Sequence, residues 1–301
     1  MSWGRWWFAL QASGGAVWWL LVPTVPIVRT ATLGSLDPVP VAALDVPLFV
    51  VASALAAAGL RWSAVVATGW TVLVLLGTAA WATVTREAGW GVVAMTAATV
   101  GSVLALLGRV PTELVTSGPL RFRTADPDAG PVRHLLGTAV QIVVFWGLFL
   151  GVLPLLIAAA ETRWRLRPPL PDAVVQVVSG TGLVVFVLAS LLGLASAVSM
   201  STRGGGTPLP SAMPNRLVVA GPYRVLRNPM ALAGLTQGAA VGLVAASWTV
   251  LVYAVAGSVV WNCVVRPLEE RDLEQRFGDD FRRYAAAVRC WVPRLRPVPR
   301  S

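Results

Sequence analysis

The chain alternates between long apolar runs and short charged connections. From Trp6 to Val28, Trp62 to Thr85, Ala88 to Gly108, Leu135 to Ala160, Ala173 to Thr202 and Met230 to Val265 there is no Asp, Glu, Lys, Arg or His. About 20 apolar residues suffice to cross the hydrocarbon core of a bilayer. Each run is long enough for one helix, and the last is long enough for a helical hairpin. A further span, Val39 to Leu60, carries Asp45 near one end. The pattern predicts an all-α polytopic bundle of about eight transmembrane helices, followed by a charged, cytoplasmic C-terminal helix. The N-terminal run has the length of a span and no small-residue cleavage site after it, so it reads as the first helix and not as a signal peptide.

Composition agrees. Hydrophobic residues make up 56% of the 301 residues and charged residues 13%, with a mean hydropathy of +0.69, whereas a soluble domain carries about twice that charge. All 24 basic residues are Arg, which points to a GC-rich bacterial genome and a bacterial cell membrane. The net charge of +10 is accounted for by topology, since cytoplasmic loops collect positive charge, and calls for no nucleic acid. The loop from Met200 to Asn228 carries Arg203, Arg216, Arg224 and Arg227 without an acid, and the tail from Arg266 carries nine Arg. If Met230–Val265 is a hairpin, both lie on one side, the cytoplasm, together with the N-terminus. The loop from Glu161 to Asp172 runs against this count, with Arg163, Arg165 and Arg167 on the outer side. Cys263 and Cys290 do not make a disulfide framework and are expected reduced.

By texture the chain divides into residues 1–108, four plain apolar spans, and residues 109–301, whose loops are longer and more specific. Chemistry concentrates in the second part. In Gly221-Pro222-Tyr223-Arg224-Val225-Leu226-Arg227-Asn228-Pro229-Met230, Asn228 reads as a helix N-cap and Pro229 as the first helical residue. A helix start with Arg224 and Arg227 beside it suits an anionic group, or anchors lipid headgroups. Gly234, Gly238 and Gly242 align on the helix that follows and permit close packing, with Gly234 the best placed for a ligand. In the tail, Leu273, Phe277, Phe281, Tyr284 and Val288 form an apolar stripe, which Gly278 interrupts. Arg266, Glu269 and Glu270 stand where the span emerges. Carboxylates there are costly without partners. They either pair with Arg266 or bind a cationic ligand. A helix start and two carboxylates at the open ends of one hairpin would together fit a zwitterion with an amino acid head.

These motifs, with Glu-Glu-x-x-Leu-x-x-x-Phe-Gly and Val-x-Arg-x-x-Pro after the hairpin, resemble the membrane methyltransferases, the isoprenylcysteine carboxyl methyltransferases and phospholipid methyltransferases. The resemblance is firm over 215–297. It implies S-adenosylmethionine as cofactor, lined by Tyr223, Arg227, Asn228, Pro229, Met230 and Gly234. It implies that Glu270 holds the amino group with Glu269 beside it, and that Arg266 orients the acceptor. The acceptor would be a lipophilic carboxylate, thiol or amine entering from membrane lipid. The family pattern has His where Asn228 stands, so a general base at this position is not expected. Ser179-Gly180-Thr181-Gly182 reads as a packing notch, and His134, the single histidine, as a surface residue. No metal-ligand spacing is present. Two rivals stand beside the enzyme: a non-catalytic scaffold or sensor with the same fold, and a transporter, which predicts charged or polar residues inside the spans and for which Asp45 is the exception worth testing.

Overall fold

The structure is a computed structural model that describes residues 2–118, 124, 125, 130–207 and 213–298. Its regular elements are helices, which leave no main-chain group unpaired in lipid. Among the described residues the only β pairing is an isolated bridge between Thr124 and Met213. The helices are α1 (Ser2–Leu21), α2 (Pro26–Thr32), α3 (Pro38–Ala58), α4 (Arg61–Thr85), α5 (Gly89–Leu107), α6 (Leu135–Arg163), α7 (Asp172–Arg203), α8 (Pro229–Val244), α9 (Trp248–Val260) and α10 (Arg266–Ala287).

Among the described residues, six helices have span length and hydropathy, counting α9 and α10 as one continuous helix, and the pair α1–α2 makes a seventh if taken as one broken span. The expected eight therefore resolves into six long helices, one bent pair and one shorter apolar helix, α8. The apolar run Trp6–Val28 is not straight because Pro26 opens a new helix at 118° to the first. A proline lacks the N–H that would continue the ladder. Pro47 sits in a π turn, Val46–Val51, within α3.

The chain forms two compact units. The first comprises Met1–Pro111 and Ala159–Pro168. Its core is built of small side chains around Phe8, with Ala52, Ala56, Ala64 and Ala67, so helices approach closely. Two of the polar groups inside it are held in pairs: Gln11 donates to Ser53 Oγ at 3.0 Å and accepts from Ser102 Oγ at 2.7 Å. Asp45 accepts from the indole N–H groups of Trp19 at 2.8 Å and Trp70 at 2.7 Å. The polar residue that a transporter would use is thus occupied in holding three helices together.

The second unit comprises Thr112–Ala158 and Pro169–Ser301. Here α7 packs along α8. A Cβ on Gly182 would lie 2.7 Å from Val244 N and 2.9 Å from Ala240 O, and Ser179 Oγ donates to Val244 O at 3.0 Å. The Ser179–Gly182 stretch is a helix-packing notch, as its sequence suggests. Gly238 and Gly242 face Ala254 and Leu251 of α9, while Gly234 faces open space. The α9–α10 helix is 40 residues, Trp248–Ala287, about 60 Å by the helical rise and twice the hydrocarbon thickness. It is free of charge as far as Val265 and strongly charged beyond. Hence α10 stands outside the span.

Candidate active site

Three pieces of chain meet where α8 begins and α9 gives way to α10. The first is the turn Gly221–Arg224. Gly221 has φ +55°, a conformation that favours glycine, and it approaches the Ser199 hydroxyl closely, a Cβ there falling 2.3 Å from Oγ. The turn buries Tyr223. The second is the start of α8, where Asn228 Oδ1 accepts from the Ala231 N–H at 3.1 Å with Pro229 at the first helical position. The third is the first two turns of α10.

The tail closes the arrangement. After α10 the chain runs back along the loop, with Arg227 N donating to Arg289 O at 3.0 Å, Arg294 N to Val225 O at 2.9 Å and Val298 N to Arg224 O at 3.1 Å. The apolar stripe supports it: Phe281, Tyr284 and Val288 are buried, with Leu273 and Phe277 beside them, against Leu217, Val219 and Val298. Gly278 kinks the stripe at φ +51°. The Tyr284 hydroxyl donates to Tyr223 O at 2.7 Å.

The charged groups are not equivalent. Glu270 Oε1 accepts from Arg227 Nη2 at 3.0 Å and from Arg266 Nε at 3.1 Å. Arg227 also donates to Ala285 O at 2.9 Å. Glu270 is therefore held between two guanidinium groups. Glu269 makes no ion pair among the described residues, and its one hydrogen bond there comes from Asn228 Nδ2 to Oε2, at 3.2 Å. Loss of water around Glu269 raises its carboxyl from 4.5 to about 7, against the Asn228 hydrogen bond, which lowers it; the charges of Glu270 and Asp272 add to the rise, and Arg276 opposes it. Burial also holds the Tyr223 phenol well above its usual value, with the charge of Glu269 adding to the effect, so this phenol stays neutral.

These groups border a cavity of about 70 Å³. Its wall includes Tyr223, Arg227, Asn228, Met230, Glu269 and Glu270, six of the nine residues expected at the site. Arg266 reaches it only through Glu270. Pro229 is buried under the helix start and, like Gly234, is not on the wall. The wall also holds Met200, Met213, Arg216, Leu273, Phe281 and Tyr284. Leu273, Phe281 and Tyr284 are visible in the sequence as the stripe, where they read as packing. Met200, in the last turn of α7, and Met213, in the segment before the Gly221–Arg224 turn, belong to no motif in the sequence. The His134 side chain lies outside the described residues.

The donor set fits a zwitterion. Glu269 offers a negative charge without a cationic partner. Arg227 Nε is buried with no hydrogen-bond partner, and the start of α8, with the Met230 N–H, adds partial positive charge. Methionines and aromatic rings supply an apolar wall.

Residues 175–280 match the phospholipid methyltransferase family model. This is the family that the sequence motifs resemble, and the match covers α7, the α8–α9 hairpin and the carboxylates of α10. No curated protein and no solved structure gives a significant match. Together with its apolar helices, the match points to a membrane protein with methyltransferase chemistry.

Proposed function

We propose that the chain transfers a methyl group from S-adenosylmethionine to a lipophilic acceptor drawn from the bilayer. The observation that carries this reading is the Glu269 carboxylate. It borders the cavity without a cationic partner, beside a buried Arg227 with a free Nε and the positive start of α8. Glu269 takes the amino group of the cofactor. Arg227 Nε and the Met230 N–H at the start of α8 take its carboxylate, and the side chains of Met230, Tyr223 and Phe281 flank its apolar parts. Glu270 instead fixes Arg227 and Arg266 through one oxygen. This exchanges the roles that the family resemblance gives to the two carboxylates.

When bound, S-adenosylmethionine supplies an electrophilic methyl group on a positively charged sulfur. The chain's contribution is positioning, which can lower a bimolecular barrier by about 7–11 kcal/mol. Asn228 fixes the α8 start through Oδ1 and Glu269 through Nδ2. Having no titratable proton, it removes none from the acceptor. Arg266, at the mouth of the span, faces an anionic or polar acceptor head while the acceptor's tail stays in lipid. The cytoplasmic side follows from the Arg-rich loop and tail. The acceptor is a lipid or isoprenoid carboxylate, thiol or amine.

Binding of S-adenosylmethionine by the protein in nanodiscs tests this, with Glu269→Gln and Glu270→Gln alongside. The parent protein binds, Glu269→Gln binds at least tenfold more weakly, as expected for loss of a charge pair of about 1.5–3 kcal/mol, and Glu270→Gln loosens Arg227. No binding by the parent protein overturns the proposal. A non-catalytic scaffold is the second reading, favoured by Asn228 in place of His; it predicts that no lipid extract accepts labelled methyl even when the cofactor binds.

A further inference from the structure

The tail beyond α10 carries charge in an unusual way. On α10, four of the five arginines, Arg266, Arg276, Arg282 and Arg283, have a carboxylate within ion-pair distance. After Asp280 the sequence has no acid, and Arg289, Arg294 and Arg296 make no ion pair among the described residues. Between them stand Val292 and Leu295, the first 55% exposed and the second wholly so. Cations without acid partners, interleaved with bare apolar side chains, are poorly suited to water. They match a bilayer interface, where headgroup phosphates and the first methylenes are layered within a few ångströms.

The position of this segment agrees. Trp291 packs edge-on against Trp261, with ring centroids 5.3 Å apart, and its indole N–H donates to Asn262 Oδ1 at 3.1 Å. Trp261 lies in the last turn of the apolar run, four residues before Val265, where tryptophans favour the membrane–water boundary. The tail is thereby pinned at the level at which the span leaves the bilayer. Its main chain is also set, through Arg294 N to Val225 O and Val298 N to Arg224 O. The surface is preformed, so little ordering cost opposes its use.

We propose that the segment from Arg289 to Arg296 is an interfacial lipid-binding surface, in which the arginines take anionic headgroups while Val292 and Leu295 enter the acyl boundary. Each arginine strengthens the attachment about fivefold at an anionic surface. The surface is independent of the cavity reading: none of these side chains borders the cavity, and its test measures no methyl transfer.

The test places a fluorophore on Leu295→Cys in a Cys263→Ser background; the remaining Cys290 is buried. Nanodiscs are made of phosphatidylcholine alone or of an equal mixture with phosphatidylglycerol. A nitroxide at headgroup depth and dissolved iodide serve as competing quenchers. The expected result is strong nitroxide quenching and weak iodide quenching in the anionic discs. The preference falls several-fold in neutral discs, in molar salt, and in the variant Arg289→Gln/Arg294→Gln/Arg296→Gln. The salt arm keeps the test valid if that variant folds poorly. Equal iodide access in both lipids overturns the proposal. So does a nitroxide preference unchanged by lipid charge and salt, and so does protection that arises only with a soluble polyanion such as polyglutamate.

Discussion

Glu269 sets the electrostatics of the cavity. Its carboxyl holds a proton up to about pH 7 in the folded protein, while the unfolded chain gives it up near 4.5. Between these values the folded state binds the extra proton, so the contribution of this group to stability falls as pH rises from 4.5 through 7; below 4.5 the loss is absent. Glu269→Gln should remove that loss: its melting temperature exceeds the parent's at pH 8 and equals it near pH 4.5, measured without ligand. Cofactor binding runs the other way. It needs the ionised carboxylate, so affinity drops by up to about tenfold per pH unit below 7, and calorimetry at pH 6 and pH 8 reads the difference. Asn228→Ala removes an N-cap worth about 1 kcal/mol together with the one hydrogen bond to Glu269. It should raise the Glu269 carboxyl further and weaken binding more than a cap loss alone. Asp45→Ala would strand two indole N–H groups in the first unit, at about 1–3 kcal/mol each, and should lower the melting temperature.

Among the elements, the spans are legible in the sequence because a charge-free run of about 20 residues has few other uses. The cap at Asn228, the stripe from Leu273 to Val288 and the notch at Gly182 are legible too, since each is a local pattern with a local cause. The bend after Leu21 is written in Pro26, but the unbroken apolar run around it masks the signal. The two carboxylates cannot be told apart from sequence. Glu269 and Glu270 are adjacent on one helix, and what separates them is Asn228 and Arg227, contributed from about 40 residues away. The return of the tail along residues 224–227 rests on main-chain hydrogen bonds that no side-chain pattern announces. Gly182→Leu should force α7 away from α8 and prevent stable folding, whereas Gly180→Leu, with nothing within 4 Å, should be tolerated. Melting in nanodiscs compares them.

At the scale of the molecule, a bundle of apolar helices presents its charged chemistry at one end of a single hairpin. Arginine placement is the basis for proposing that this end faces the cytoplasm. A membrane-impermeant thiol reagent should label Arg271→Cys, in the Cys263→Ser background, from the cytoplasmic side only, since this position is exposed on α10. The central claim is that the cavity between Asn228, Arg227 and Glu269 binds S-adenosylmethionine. Isothermal titration of the parent protein in nanodiscs at pH 8 measures this most directly. Saturable one-site binding that weakens at least tenfold in Glu269→Gln is expected; absence of binding, or binding that Glu269→Gln leaves unchanged, contradicts this site.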